Sequence, residues 1–154
     1  MPKVSVGTKV PEMRLATTGG AWQLAGAGGE KLVIYFYPKA MTTGCTLESQ
    51  QFRDLHARFR RAGVRVIGAS RDAPAAQEKF KAKEKLPFEL IADVDGELCG
   101  LFDVIREKSM YGRKFMGIER STFLLDAKGV LRREWRKVKV NGHAEEVLEA
   151  AKSL

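Results

Sequence analysis

Two residues of this 154-residue chain carry a thiol, Cys45 and Cys99. Cys45 stands in an informative segment, Tyr35-Phe36-Tyr37-Pro38-Lys39-Ala40-Met41-Thr42-Thr43-Gly44-Cys45-Thr46-Leu47-Glu48. An apolar, β-forming run ends, a proline-bounded loop follows, and the cysteine comes where a helical pattern starts. The carboxyl ends of buried strands are where α/β proteins place their sites. A helix N-terminus offers free N–H groups and a partial positive charge. Both favour thiolate, the nucleophilic form of cysteine, over thiol. The competing reading of Cys45 is a small buried hydrophobe at a helix start. Cys99, among Leu98, Leu101 and Phe102, reads as a core cysteine of a partly buried short helix.

Composition limits the alternatives. The chain has one domain's length, and 1–154 is expected to be a single domain. Hydrophobic residues make up 44% and charged residues 30%, a globular balance that excludes intrinsic disorder. Two cysteines exclude a disulfide-stapled secreted scaffold. With two cysteines and two histidines, and no cysteine near either histidine in sequence, a four-ligand Cys/His zinc site is not plausible, so no metal is expected. The start shows no apolar signal-peptide core. The longest strongly apolar stretch, Leu32 to Tyr37, is far short of the ~20 residues of a membrane helix. A soluble cytoplasmic protein with free thiols is expected. The net charge of +8 leaves nucleic acid, a membrane surface or an anionic partner open. Its two concentrations, Arg53 to Arg65 and Arg132 to Lys139, read as solvated faces. No nucleic-acid-reading motif is present, so neither nucleic acid nor a membrane is expected as partner. His56 and His143 are expected in surface or capping roles.

The elements that must position Cys45 follow from periodicity. Met13–Ala16 and Ala21–Leu24 flank a turn and predict a small hairpin; residues 25–30 are expected to be a loop. Leu32–Tyr37 suits a strand buried on both faces. Phe52, Leu55, Phe59 and Ala62 recur at helical spacing, predicting a helix from about Cys45 to Ala62 that Gly63 stops. Val64–Ser70 is a second strand. Asp72, as cap, and Pro74 mark a helix running to about Lys85. Phe88–Ala92 is a third strand, and Asp93–Gly96 turns into a short helix holding Cys99. Ser121–Asp126 and Val130–Val138 form a second hairpin, with imperfect alternation in the returning strand. A last helix spans about His143 to Lys152. Strand–helix alternation followed by a hairpin and a helix predicts an α/β sandwich, parallel first and antiparallel at its edge.

Pro38-x-x-x-Thr42-x-x-Cys45 is similar to the peroxiredoxin signature. The surrounding Tyr-Phe-Tyr-Pro and Gly-Cys-Thr, Phe52-Arg53-Asp54, Asp93-x-Asp95-Gly96, Gly117-Ile118-x-Arg120-Ser121-Thr122-Phe123 and Asp126-x-x-Gly129 resemble the Q-type, or bacterioferritin-comigratory, subgroup. The resemblance runs from about Gly7 to the last helix. It implies a thioredoxin-like sandwich with a central mixed sheet, helices on both faces and an N-terminal hairpin. It also implies a thiol-dependent peroxidase serving antioxidant defence, with no cofactor. Cys45 would be the peroxidatic nucleophile, oxidised to a sulfenic acid by hydrogen peroxide or an organic hydroperoxide. Thr42 would align the peroxide through its hydroxyl; its ordinary reading is a helix cap. Pro38 would shield the thiolate, or simply stop a strand. Arg120 would stabilise thiolate and leaving oxygen; unaided by the resemblance it reads as a surface arginine. Glu48 would orient Arg120, or be a first-turn glutamate favoured by the helix dipole.

The chain departs from the subgroup twice. Many members carry a second cysteine five residues after the first, and here that residue is Gln50. Thr43 stands where the subgroup usually has proline. Cys99 is the only other thiol, and the sequence does not place it within the ~7 Å between Cα atoms that a disulfide needs. A one-cysteine mechanism is therefore preferred, with thioredoxin, glutaredoxin with glutathione, or a small thiol as reductant. A two-cysteine mechanism with Cys99 resolving stays open, as does a non-catalytic basic binding module on the same fold. A disulfide oxidoreductase lacks its Cys-x-x-Cys. The subgroup is often monomeric, and a monomer is expected.

Overall fold

The computed structural model describes residues 3–24 and 29–154. The loop expected at 25–30 lies largely outside them. The chain opens with the hairpin β1 (Met13–Thr17) and β2 (Gly20–Leu24), followed by β3 (Lys31–Phe36). Then come α1 (Thr43–Arg61), β4 (Val64–Ser70), α2 (Pro74–Glu84), β5 (Leu90–Ala92) and the short α3 (Glu97–Leu101). A two-stranded ribbon, β6 (Ile105–Met110) and β7 (Arg113–Ile118), precedes β8 (Ser121–Leu125), β9 (Leu131–Trp135) and α4 (His143–Lys152). Seven strands form one mixed sheet in the order β2-β1-β5-β4-β3-β8-β9. Strands β3, β4 and β5 run parallel; β8 and β9 add antiparallel at one edge and β1 and β2 at the other.

The apolar run of β3 alternates between two cores, as the period of two in a strand requires. Leu32, Ile34 and Phe36 join one cluster with Cys99, Leu101, Phe102 and Phe123. Val33, Tyr35 and Tyr37 join the other, with Cys45, Phe52, Phe59, Phe80 and Val147. Helices α1, α2 and α4 therefore cover one face of the sheet, and α3 with its flanking residues covers the other. On α1 the helical period is met by Phe52 and Phe59, both fully buried, each such side chain contributing about 1.5–3 kcal/mol. In β4, Gly68 is required by close packing: a Cβ there would lie 2.8 Å from the Tyr35 ring and from Leu90. Among the described residues no helix is long and apolar enough to cross a membrane.

Four details correct the sequence expectations. Asp72 does not cap α2. Ala73 holds the N-cap position and Pro74 opens the helix, while the Asp72 carboxylate accepts bonds from the Ser70 hydroxyl (2.6 Å) and the Ala40 amide (2.8 Å). His143 is buried, 6% exposed; its Nε2 lies 2.8 Å from the Thr122 hydroxyl. Burial, reinforced by Arg120 and opposed by Glu146, lowers its pKa to about 4. The returning strand is shorter than Val130–Val138, and its register shifts between Leu124 and Leu125, skipping Arg132. That bulge breaks the alternation. The β6–β7 ribbon had no counterpart in the expectations.

Candidate active site

The topology brings three chain segments to one end of the sheet. Strand β3 delivers Tyr37 and the loop from Pro38 to Thr42. Strand β8 runs antiparallel to β3, pairing Ser121 with Phe36, so the preceding Arg120 arrives beside that loop. The Val138 amide donates to the Arg120 carbonyl at 3.0 Å and fastens it there. Strand β4 ends at the same edge and supplies Asp72, whose bond to the Ala40 amide ties the loop to the sheet. Between that tie and the helix, Met41 has φ of 72°, a left-handed conformation uncommon outside glycine. Such local strain is held in place by surrounding contacts and clusters at functional sites.

Cys45 is the third residue of α1 and is 1% exposed. The first turn of α1 contains no acidic residue, and no side chain caps its N–H groups. Arg120 reaches in with both terminal nitrogens. Nη2 donates to Cys45 Sγ at 3.4 Å, and Nη1 donates to Glu48 Oε1 at 2.7 Å. Gly44 makes room, since a Cβ on it would lie 3.1 Å from Arg120 Nη2. Glu48 is 1% exposed, and its second oxygen, Oε2, is buried without a hydrogen-bond partner. Burial pushes the Glu48 carboxyl up to about 7, against the pull of Arg120. Burial alone would lower the Arg120 pKa, but Glu48 and Cys45 outweigh it and raise it. The guanidinium is thus a permanent cation between a sulfur and a carboxyl that ionises reluctantly.

Cys45, Glu48 and Arg120 are therefore one hydrogen-bonded unit. Pro38 is half-buried at the head of the loop. Thr42 stands at the N-cap position without capping, and its hydroxyl donates to the Lys39 carbonyl at 2.8 Å. Cys99 is not brought in: it lies in the core cluster on the opposite face of the sheet, and both thiols are free. Among the described residues no three His, Cys, Asp or Glu side chains gather as a metal site. Sequence reasoning missed Asp72 as the loop's tie, the space left by Gly44, and Lys108. Burial and Arg120 lower the Lys108 pKa against the opposing pull of Cys45; Lys108 lies on β6, in the ribbon whose last residue, Ile118, precedes Arg120 by two. The Thr-Gly-Cys order was a usable signal for Gly44; Lys108 lies in a ribbon that no periodicity announced.

Known proteins share this arrangement of elements. A family model described as AhpC/TSA family matches residues 6–134. The chain is 48% identical over 143 residues to Peroxiredoxin Bcp of Xanthomonas campestris, covering 92% of this chain and 89% of that protein. It is 43% identical over 152 residues to Peroxiredoxin Bcp of Bacillus subtilis, covering 98% and 97%. A solved mutant structure of PrxQ from Xylella fastidiosa superimposes with a TM-score of 0.92 at 38% identity, covering 99% and 98%. The bacterioferritin comigratory protein of X. campestris, studied for alkyl peroxide reduction through a trapped intermediate/ligand complex, superimposes with a TM-score of 0.87 at 47% identity, covering 92% and 90%. With a matching family model over most of its length and relatives of this similarity, the chain belongs to the AhpC/TSA family, as a peroxiredoxin of the Bcp/Q group.

Proposed function

We propose that this peroxiredoxin, a thiol-dependent peroxidase, works by a one-cysteine cycle centred on Cys45 and closed by an external thiol. The observation that carries the reading is the Arg120 guanidinium, bonded to Cys45 Sγ on one side and to Glu48 on the other. The thiolate attacks one oxygen of a hydroperoxide and the O–O bond breaks. A proton joins the leaving oxygen, giving Cys45 sulfenic acid and water or an alcohol. Arg120 meets the negative charge that leaves sulfur and gathers on that oxygen. Glu48 is its positioning residue. Thr42 and Pro38 border the approach: Thr42 aligns the peroxide once its hydroxyl leaves Lys39, and Pro38 limits water. Hydrogen peroxide and alkyl hydroperoxides are the substrate class, the latter in keeping with the X. campestris relative.

An external thiol then attacks Sγ and displaces hydroxide, which leaves as water, forming a mixed disulfide. A second thiol attacks the outer sulfur, releasing reduced Cys45 and an oxidised disulfide. The sheet between the two sulfurs disfavours Cys99 as the resolving partner. Thioredoxin is the favoured reductant, with glutaredoxin and glutathione or a small thiol as substitutes. Free thiols suit a reducing compartment such as the cytoplasm, and we read the chain as one domain acting as a monomer.

The test is peroxide consumption with dithiothreitol, joined to intact-mass analysis after one equivalent of peroxide. Cys45→Ser is expected to abolish turnover, Cys99→Ser to keep it, and the wild type to gain 16 mass units. Equal rates for wild type and Cys45→Ser would overturn the reading. A loss of two mass units would replace the one-cysteine cycle with an internal disulfide.

A further inference from the structure

The ribbon β6–β7 is the part of the fold that the catalytic cycle leaves unexplained. It pairs with no other strand among the described residues, yet it exposes large apolar side chains. Met110 is 58% exposed, Tyr111 98%, Phe115 44% and Met116 58%. Met41 and Leu47, on either side of Cys45, are also exposed, at 37% and 47%. Contiguous exposed apolar side chains mark interaction surfaces.

The register settles which residues share a face. Lys108 pairs with Phe115, Met110 with Arg113, and Arg106 with Gly117. One face therefore interleaves positive and apolar side chains. The Lys108 stem lies along Gly117, where a Cβ would come 3.3 Å from Lys108 Cδ. The ribbon ends at Ile118, two residues before Arg120, whose Nη2 lies 3.4 Å from Cys45 Sγ, so the base of the ribbon adjoins the reactive sulfur. That face carries Arg106, Lys108 and Arg113, a charge of +3, while Glu107 and Lys114 stand on the opposite face.

We propose that the β6–β7 ribbon is the docking surface for an acidic protein that supplies the reducing thiol. This rests on the external-thiol cycle above and names its partner's chemistry. A second copy of this chain is disfavoured as occupant, because a two-fold contact would set the same +3 face against itself, in a chain already at +8. An acidic partner is drawn by the charge and held by the apolar side chains, which adds association rate and specificity more than raw affinity. The size also fits: a ribbon of six-residue strands spans about 20 Å, and transient redox encounters bury less than ~1,200 Å². A partner thiol seated at the base of the ribbon faces the segment that carries Arg120, the residue bonded to Cys45.

The experiment uses the full chain with an acidic bacterial thioredoxin, kept reduced, and in parallel with dithiothreitol. The double variant Arg113→Glu with Lys114→Glu reverses charge at the ribbon tip, away from Cys45; Tyr111→Ala removes its most exposed ring. With thioredoxin, kcat/KM of the double variant is expected to fall about tenfold or more and its decline with salt to vanish. Tyr111→Ala is expected to raise KM with little change in kcat. With dithiothreitol both variants should stay within about twofold of wild type, since a small neutral thiol needs no docking face. Unchanged thioredoxin kinetics in the variants would overturn the proposal. So would an equal loss with dithiothreitol, wild-type turnover with dithiothreitol but none with thioredoxin, or binding to anionic lipid vesicles that the variants abolish while thioredoxin kinetics hold. Failure of the peroxidase reading is distinct: the wild type would then consume no peroxide with either thiol.

Discussion

Cys45 and Cys99 are each the third residue of a helix, each buried, and each free. Their surroundings are nevertheless opposite. At Cys45, a helix of 19 residues begins without a capping side chain or a first-turn acid, and a guanidinium nitrogen lies 3.4 Å from the sulfur. At Cys99, the helix has five residues, and Asp93 accepts hydrogen bonds from the Leu98 and Cys99 amides at 3.0 and 2.8 Å. The donors that would favour an anion are spent on a carboxylate. Burial first, and Asp93 second, push the Cys99 thiol far above its ordinary range. A helix start therefore does not make a reactive cysteine. The sign of the nearest charge, and what already occupies the amides, separate the two.

The comparison breaks most sharply at Arg120. Arg120→Met keeps length and loses charge, and should slow oxidation of Cys45 by peroxide about 10²–10³-fold, as removal of a group that stabilises developing charge does. Stopped-flow measurement of sulfenic acid formation reads it. A loss under threefold would return the credit to helix position alone. Next in size is the loop tie. Asp72→Ala should free the Ala40 amide, lower the peroxide rate about tenfold and speed alkylation of Cys45, with Asp72→Asn close to wild type because its amide oxygen still accepts, a hydrogen bond to a charged group being worth about 1.5–3 kcal/mol. Equal behaviour of the two variants would remove Asp72 from the site.

Glu48 tests the same contrast through pH. Its carboxyl is raised to about 7 in the fold from an ordinary value near 4.5, so the folded chain holds that proton more tightly than the unfolded one. The stability it confers is present below about 4.5 and is lost as pH rises through about 7. Glu48→Gln should remove that loss, of the order of 2–3 kcal/mol. Urea midpoints of wild type and variant, followed from pH 4.5 to 7.5, should diverge; parallel curves would sink the assignment. His143, held down to about 4, contributes the other way: its stability is present above about 6.5 and is lost as pH falls through about 4. The smallest effect is expected on the silent side. Asp93→Asn removes the carboxylate, but burial is the larger cause, so Cys99 alkylation in the folded protein should change less than about twofold. A large increase would show that charge alone keeps Cys99 quiet.

The apolar run of β3, the helical spacing on α1 and the boundaries of α4 were legible because burial on a fixed face imposes a period. The ribbon was illegible for the same reason. Glu107, Ser109, Lys114 and Met116 are all exposed on one face, and Met110, Arg113 and Phe115 on the other, so neither face writes an apolar pattern. At the site, Cys45 could be read from its place between strand and helix. Arg120 is 75 residues away, and only the resemblance joined it to Cys45. Asp72 was misjudged because an aspartate before a helix and an aspartate holding a neighbouring loop look alike in one dimension. Glu48 was placed within a turn of Cys45 by spacing, while its ion pair is with an arginine that spacing cannot reach.

The sheet that lies between the two sulfurs also has a consequence for timing. Under the one-cysteine cycle proposed above, a sulfenic acid on Cys45 would persist until either a thiol or another peroxide finds it. The fraction of molecules lost to sulfinic acid is then a race between two bimolecular rates, set by the ratio of peroxide to reductant. On that cycle the protein would be a gauge of thiol supply: ample reductant would keep it cycling, and a burst of peroxide that outruns the supply would retire it.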